Sequence, residues 1–365
     1  MDASATVPER RLLPVGVVIP GYGCAGTIGA VLDGLERQTC AVEKVVVVDD
    51  ASPDGLGALL ESLKGRYGFP LEVVHHGRNL RLAKSYNDGL RLTGSKYAMT
   101  LHSDCVLAPD YIERLVGLLE SEEGAGLAVA TGQYVFPEID RMGAVDRLYL
   151  ALNLIPREPL EVPGGGWVEL SFCEGKADVF RRELLDAEGG FDERFSLTSE
   201  DQDLCAKLRK KGYKVGMLPA CRFSSVFGGT QDSVAKVIRK QRTYARGQAM
   251  ILLRHGRAAV RSSTRNRNAR AWFRLAQVAT AGLWAAMLAA AVVLAVLRAP
   301  AAAWGALGAC AGGLAVARWL SYVWICRWMR AGEAVRAASI GLWADVWYAA
   351  GLAEGLWKAV VFGAT

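Results

Sequence analysis

Across residues 233–332 the chain contains no aspartate or glutamate. In the first part of that stretch Lys236, Arg239, Lys240, Arg242, Arg246, Arg254, Arg257, Arg261, Arg265, Arg267, Arg270 and Arg274 crowd together unopposed. The overall net charge of +6 therefore understates a local basic block, which suits nucleic acid, anionic lipid or phosphate-bearing ligands. No nucleic-acid-binding motif or aromatic-rich surface accompanies the block, so nucleic acid is not an expected partner. A long apolar stretch follows it directly, which makes anionic lipid headgroups the expected one. Paired cysteines are lacking as well. The eight cysteines (24, 40, 105, 173, 205, 221, 310 and 326) form no CxxC pair and no metal-ligand spacing, which argues against a zinc module and fits reduced thiols in the cytosol. Residues 1–13 have no apolar core of a secretory signal, so the first domain is expected to stay cytosolic.

What is present divides unevenly, with charge before about residue 270 and apolar runs after it. Residues 15–20 (VGVVIP), 44–49 (KVVVVD), 71–75 and 96–102 read as strands, and helical patterns fall between them at 27–38, 56–64 and 85–93. Strands alternating with helices at this spacing predict a parallel α/β sheet, with its ligand beyond the carboxyl ends of the strands. Polar residues cluster at those ends: Asp49 and Asp50 after the second strand, His102-Ser103-Asp104 after the fourth. Further on, 127–134 reads as a strand and 140–154 as an amphipathic segment. Residues 161–167 read as a Gly/Pro-rich loop, 181–187 and 200–211 as helices, and 215–217 as a closing strand.

The tail has membrane character. Residues 275–297 are 23 uncharged positions, enough for one span, and 299–317 give 19 more, continued by 319–326 beyond Arg318. Arginines before the first stretch and after the second place both ends of this hairpin in the cytosol. Residues 339–362 contain Asp345, Glu354 and Lys358. They are a weaker third element, an interfacial helix, a span, or a helix packed on the other two. The expected layout is a tail at 1–14, a catalytic domain at 15–232, basic interfacial helices at 233–274 and a membrane region at 275–365.

Four segments carry a family likeness: VVIPGYGCAGTIGAVLDGLERQT, VVVVDDASPDG, NLRLAKSYNDGLRLTGSKYAMTLHSDCVLAPDYI and GGFDERFSLTSEDQDLCAKLRKKGY. In order and spacing they resemble the inverting family 2 glycosyltransferases of GT-A fold, over residues 17 to about 217. The resemblance implies a Rossmann-like nucleotide-diphospho-sugar transferase domain. It implies that Asp50, with Asp49 beside it, meets the base or ribose, and that Pro20 and Tyr22 wall the base. It also implies a divalent cation, Mn²⁺ or Mg²⁺, on the pyrophosphate at Asp104, where the metal offsets charge on the departing nucleotide diphosphate. The family has Asp-x-Asp where this chain has His102-Ser103-Asp104; His102 stays open as a second metal ligand, a ribose contact or a space-filling residue, and a neutral imidazole suits Mn²⁺ better than Mg²⁺. Arg81 and Lys84 are candidate phosphate contacts, with a solvated basic face as the alternative, and Ser103 joins the donor-binding set.

An inverting transfer needs one base for the acceptor hydroxyl. The resemblance puts it at Asp201, with Glu200 positioning, while Ser199 reads as the helix N-cap and Asp203 faces elsewhere. Residues 241–246 (QRTYAR) fail to match the Gln-x-x-Arg-Trp of processive synthases in this family, which favours transfer of a single sugar. The expected function is inverting transfer from a nucleotide-diphosphate sugar, UDP-linked, to a lipid-borne or polyprenyl-phosphate-linked acceptor. The site would be the cytosolic face of the cytoplasmic membrane, on a multi-pass protein. Two alternatives stay open: a glycosyltransferase-like subunit that has lost turnover and scaffolds partners, and an enzyme with a soluble acceptor.

Overall fold

The computed structural model describes residues 10–135, 142–153, 159–195, 198–226, 233–256, 269–327, 329 and 331–362. Contacts divide the chain into two units, Met1–Pro137 with Glu158–Gly228, and Glu138–Arg157 with Gly229–Thr365. Much of the basic block, residues 257–268, lies outside the described residues.

The first unit is a nine-stranded mixed sheet with helices. Its strands are β1 (Arg11–Gly21), β2 (Cys40–Asp49), β3 (Leu71–His75), β4 (Tyr97–Leu101), β5 (Cys105–Leu107), β6 (Leu127–Tyr134), β7 (Val168–Leu170), β8 (Ala177–Arg181) and β9 (Lys214–Ser225). The order is β3-β2-β1-β4-β8-β6-β9-β5, with β7 added on β9. β1 to β4 pair in parallel, as the strand-helix alternation predicts. The parallel expectation fails at β8, which runs antiparallel to both β4 and β6. The closing strand is longer than the expected 215–217: β9 pairs with β5, β6 and β7 along its length, with a register break where its pairing with β6 steps from Leu218 to Arg222.

The helices are α1 (Ile28–Glu36), α2 (Leu56–Leu63), α3 (Leu82–Leu90), α4 (Tyr111–Glu120), α6 (Arg182–Ala187) and α7 (Glu200–Lys210), with α5 (Ala144–Asn153) grouped in the second unit. Val17, Ile19, Val45 and Val47 alternate into one core with Ile28, Leu32, Leu56 and Leu60, while Val18 faces a second core with Tyr86, Leu90, Phe180 and Phe191. This two-sided burial explains the nearly continuous apolar runs of β1 and β2. The polar group of buried Tyr111 bridges strands, as its Oη donates to Ala177 O (2.6 Å) and accepts from Gly132 N (2.7 Å).

The second unit is helical: α5, α8 (Val234–His255), α9 (Ala269–Val296), α10 (Ala301–Ile325) and α11 (Ala331–Phe362). Among the described residues, α9 (over 276–296, mean hydropathy 2.1) and α10 (mean hydropathy 1.3) are long and apolar enough to cross a membrane, and α11 is not. The three helices are joined by a buried polar network. Arg318 Nε donates to Asp345 Oδ2 (2.7 Å), and Tyr322 Oη (2.6 Å) and Gln277 Nε2 (3.2 Å) donate to Asp345 Oδ1. Further contacts within the unit join Arg147 to Glu333 (2.8 Å) and Tyr149 Oη to Tyr244 Oη (3.0 Å).

Candidate functional site

The carboxyl ends of β1 and β2 are fastened to each other. Asp50 N donates to Gly21 O (2.9 Å), Gly23 N to Ser52 Oγ (2.7 Å) and Ala25 N to Asp54 Oδ2 (2.8 Å). Pro20 is buried at this end, in register with Val48, and Tyr22 projects into solvent. Asp54 Oδ1 also accepts from Leu56 N (3.3 Å), a local turn just before α2, whose N-cap residue is Gly55.

Asp49 and Asp50 are both buried, and both hold backbone. Asp49 Oδ1 accepts from Ser52 N (2.9 Å), and its Oδ2 lies 3.2 Å from His75 Nδ1. Asp50 does more: its Oδ1 accepts from Leu80 N (2.7 Å) and lies 2.8 Å from His76 Nδ1, and its Oδ2 accepts from Arg81 N (2.9 Å). That clamp keeps Arg81 at φ +78°, ψ 170°, a region that L-residues avoid at a cost of about 1–3 kcal/mol. The Arg81 side chain is exposed, whereas Lys84 is ion-paired with Asp88 (2.6 Å). Asn87, one turn along α3, makes a reciprocal pair with Phe191, its Nδ2 donating to Phe191 O (2.8 Å) and its Oδ1 accepting from Phe191 N (2.9 Å). The third sequence motif thereby holds the fourth.

β4 ends at Leu101, and His102, Ser103 and Asp104 form the turn beyond it. Thr27 Oγ1, at the start of α1, donates to Ser103 O (2.7 Å), and Val226 N donates to Asp104 O (2.6 Å). The ligand atoms of His102, Asp104 and Cys105 all lie within 4.8 Å of one another. Burial, then the adjacent Asp104, push the Cys105 thiol well above its usual range, and its soft sulfur suits Mn²⁺ or Mg²⁺ poorly. The donor set that fits a divalent cation is one carboxylate oxygen and one imidazole nitrogen, both partly exposed.

The other half of the site is a buried carboxyl cluster. Glu200, Asp201 and Asp203 open α7, and all three are buried. Asp203 pairs with Lys207 (2.8 Å). The expected Ser199 N-cap is not made: Ser199 takes a left-handed backbone (φ +74°) and its side chain does not cap the helix. Asp178, the second residue of β8, is almost fully buried. Burial pushes Asp178 up to about 6 and Glu200 up to about 7. It pushes Asp201 well above the carboxylate range, with the Glu200 charge adding to it.

One loop step links the two halves. Lys176 O accepts from His102 N (2.8 Å), and Gly175 (φ +67°) lies against the Asp201 side chain. Tyr86 Oη donates to Gly175 O (2.8 Å) and fixes that step from α3. The sequence reading singled out Asp201 and Glu200 but missed Asp178, Gly175 and Tyr86. An acidic residue within a strand and a lone glycine before it carry no distinctive periodicity.

Residues 16–188 match the family model "Glycosyl transferase family 2". The chain is 28% identical over 207 residues to the amylovoran biosynthesis glycosyltransferase AmsB of Erwinia amylovora, covering 55% of this chain and 66% of that one. It is 29% identical over 134 residues to a polyprenol monophosphomannose synthase of Mycolicibacterium smegmatis, covering 36% and 48%. Across the curated relatives it matches, the chain spans between 33% and 66% of their length. In fold it is similar to the mannosyltransferase PcManGT of Pyrobaculum calidifontis in complex with GDP-Man and Mn²⁺. That match has a TM-score of 0.54 at 20% identity, covering 90% of this chain and 86% of that one. Over residues 16–188 the chain is thus similar to the family 2 glycosyltransferases, its α/β fold is GT-A-like, and two apolar helices follow.

Proposed function

We propose that this family 2 glycosyltransferase domain moves a single sugar, with inversion, from a nucleotide-diphosphate donor to a lipid-borne acceptor at the cytosolic face of a membrane. The observation that carries the reading is the buried Glu200–Asp201 pair held, through Gly175 and Lys176, to the strand end that bears His102 and Asp104. In this reading Asp201 accepts the proton of the acceptor hydroxyl. A carboxylate whose proton affinity is raised by burial and a like-charged neighbour is a stronger base than an exposed one. Glu200 positions Asp201 and sets its charge state. His102 and Asp104 would hold a divalent cation, Mn²⁺ or Mg²⁺, and when bound it would neutralise charge on the departing diphosphate. Asp49 and Asp50 fix the loops around the base, and Pro20, Tyr22, Ser103, Arg81 and Lys84 line the donor side. Asp50 has both oxygens engaged, so its part in recognition is to hold the Arg81 backbone as well as to meet the base or ribose.

Two observations support a lipid acceptor: α9 and α10, and the resemblance to a polyprenol monophosphomannose synthase. The domain would then face the cytosol on a multi-pass anchor in the cytoplasmic membrane, with anionic lipids beside the basic helices. The donor is read as UDP-linked, and because the fold relative holds GDP-Man the test carries both bases. Purified full chain is incubated with UDP- and GDP-sugars, Mn²⁺ and a polyprenyl phosphate, and products are resolved by mass spectrometry. A mono-glycosylated lipid is the expected product, and absence of turnover and hydrolysis with every donor would overturn the proposal.

A further inference from the structure

On the reading of α9 and α10 as membrane anchors, the geometry points to a second and different membrane element. We propose that α11, with α8 packed along it, lies in the plane of the bilayer interface and seats its tryptophan face at the headgroup–acyl boundary.

The face is continuous. Between residues 337 and 357 the exposed positions of α11 are 339, 343, 346, 347, 350, 353, 356 and 357, one stripe at helical spacing with no charge on it. Trp343 and Trp357 are 65% and 68% exposed, with Val346 and Leu356 between them. An apolar stripe of this extent marks an interaction surface, and tryptophan favours the membrane–water boundary, where its ring is apolar and its N–H is wet.

The acidic side chains of α11, which depress its hydropathy, are all turned to partners. Glu333 pairs with Arg147, Asp345 with Arg318, and Glu354 with both Arg242 (2.9 Å) and Arg246 (3.4 Å). They count against membrane character in the sequence but leave the stripe apolar.

What fixes the orientation is α8. Gly355 lets α11 approach closely, since a β-carbon there would stand 2.6 Å from Arg246 O and 2.7 Å from the Ala249 β-carbon, and Gly351 does the same over Arg242 and Ala245. Toward the other end Val237 shares a cluster with Ala334, Ala337 and Ala338. α8 therefore runs beside α11 over several turns, and it carries Lys236, Arg239 and Arg242 exposed. Driving α11 across the hydrocarbon would take the Lys236 and Arg239 charges and the Arg242–Glu354 pair with it, at a steep cost. Lying in the plane leaves them at phosphate level while the tryptophans reach the acyl chains, the arrangement of an interfacial amphipathic helix. The occupant is lipid because the stripe adjoins an anchor: Trp319 Nε1 of α10 donates to Ser339 Oγ of the stripe (3.4 Å). Arg318 and Tyr322 of α10 bind Asp345 of α11, and the outward residues of α9 and α10 include Leu288, Val293, Val316 and Leu320.

The test uses the full chain, with exposed Cys310 replaced by serine, in vesicles of phosphatidylcholine and phosphatidylglycerol. Spin labels are placed at Trp343→Cys, Val346→Cys, Trp357→Cys and, in α9, Leu288→Cys. Power saturation compares access to oxygen with access to a water-soluble nickel chelate. Equal, shallow depths at the three α11 sites, with oxygen favoured over nickel, are expected. A depth that runs through the midplane from 343 to 357 would make α11 a span, nickel access would leave it in water, and closure to both reagents would mean a second copy covers it. Each of these outcomes overturns the proposal. Leu288 reports on the anchor separately: nickel access there overturns the anchor reading whatever the α11 sites report.

Discussion

Gly175 lies against Asp201 so that a β-carbon on the glycine would stand 3.6 Å from the Asp201 β-carbon and 3.7 Å from its Oδ2. Those are ordinary contact distances, so the space tolerates a methyl group. The backbone does not, because φ is +67°. Gly175→Ala is expected to cost about 1–2 kcal/mol from the left-handed conformation. The thermal midpoint should fall by a few degrees. Relief of the strain would shift the Lys176 carbonyl that holds His102, so metal-dependent nucleotide binding should weaken as well. Differential scanning fluorimetry with and without Mn²⁺ and nucleotide reads both effects.

In the proposed role of base Asp201 must be ionised, so activity should be lost as pH falls through the folded pKa of the Glu200–Asp201 pair. With Glu200 pushed up to about 7 by burial, and Asp201 raised by burial and by Glu200, the acid limb of kcat/KM should lie at neutral pH or above. Glu200→Gln removes the like charge and should move that limb toward acid. Asp201→Asn should lower kcat by roughly 10²–10⁴-fold with nucleotide binding retained. A rate that is unchanged in Asp201→Asn would remove it from the role of base.

Asp178 supplies a stability test whose sign is opposite to the common carboxylate case. Its folded pKa, about 6, is above the unfolded value, so the folded state binds the extra proton, and stability is lost as pH rises through 6. The two-unit rise amounts to about 3 kcal/mol of destabilisation above that pH. The loss runs from the unfolded pKa of 3.8 up to about 6, so Asp178→Asn should leave the thermal midpoint near that of the parent below about pH 4 and raise it at pH 8. A midpoint difference that does not change with pH would refute the buried-charge account.

His102 stands where an oxygen ligand is usual in the resembled family. His102→Asp should shift the cation preference from Mn²⁺ toward Mg²⁺, because a carboxylate is the harder ligand. Asp104→Ala should abolish metal-dependent stabilisation by nucleotide altogether. Thermal shifts across a Mn²⁺ and Mg²⁺ titration separate the two variants, and an Asp104→Ala protein that still responds to metal would place the cation elsewhere.

The Arg318–Asp345 pair is buried on both sides at 5% exposure. Arg318→Ala leaves a buried carboxylate without its cation and should destabilise the helical unit by about 3–5 kcal/mol. The combined change Arg318→Met with Asp345→Leu should recover most of that loss. Detergent-solubilised unfolding of the two variants checks the order.

The half of the sheet built from β1 to β4 was readable because its strands are apolar runs separated by helices. The other half was not. β5 and β7 are three residues each, β8 places Asp178 in a buried interior position, and Pro219 interrupts the pattern of β9 where its register breaks. The same difference governs the site. Carboxylates at strand ends and at the start of α7 stand out in a sequence, but the partners that give them their chemistry do not. Burial raises Asp201, and burial depends on Tyr86, Gly175 and Asp178 converging from three separate elements. The Asp50 clamp on Leu80 and Arg81 was equally hidden, since thirty residues separate the carboxylate from the amides it holds.

Tyr22 has fixed neighbours and a free ring: Gly21 O accepts from Asp50 N, Gly23 N donates to Ser52 Oγ, and the phenol between them is 56% exposed. A planar ligand stacking on that ring would immobilise the two side-chain torsions of one tyrosine and no length of backbone. The ordering entropy has already been spent in folding, which favours a small activation penalty for capture and an association rate insensitive to solvent viscosity beyond diffusion. Loosening the pins, by Ser52→Ala for example, would convert the same contact into one that must first organise its own loop.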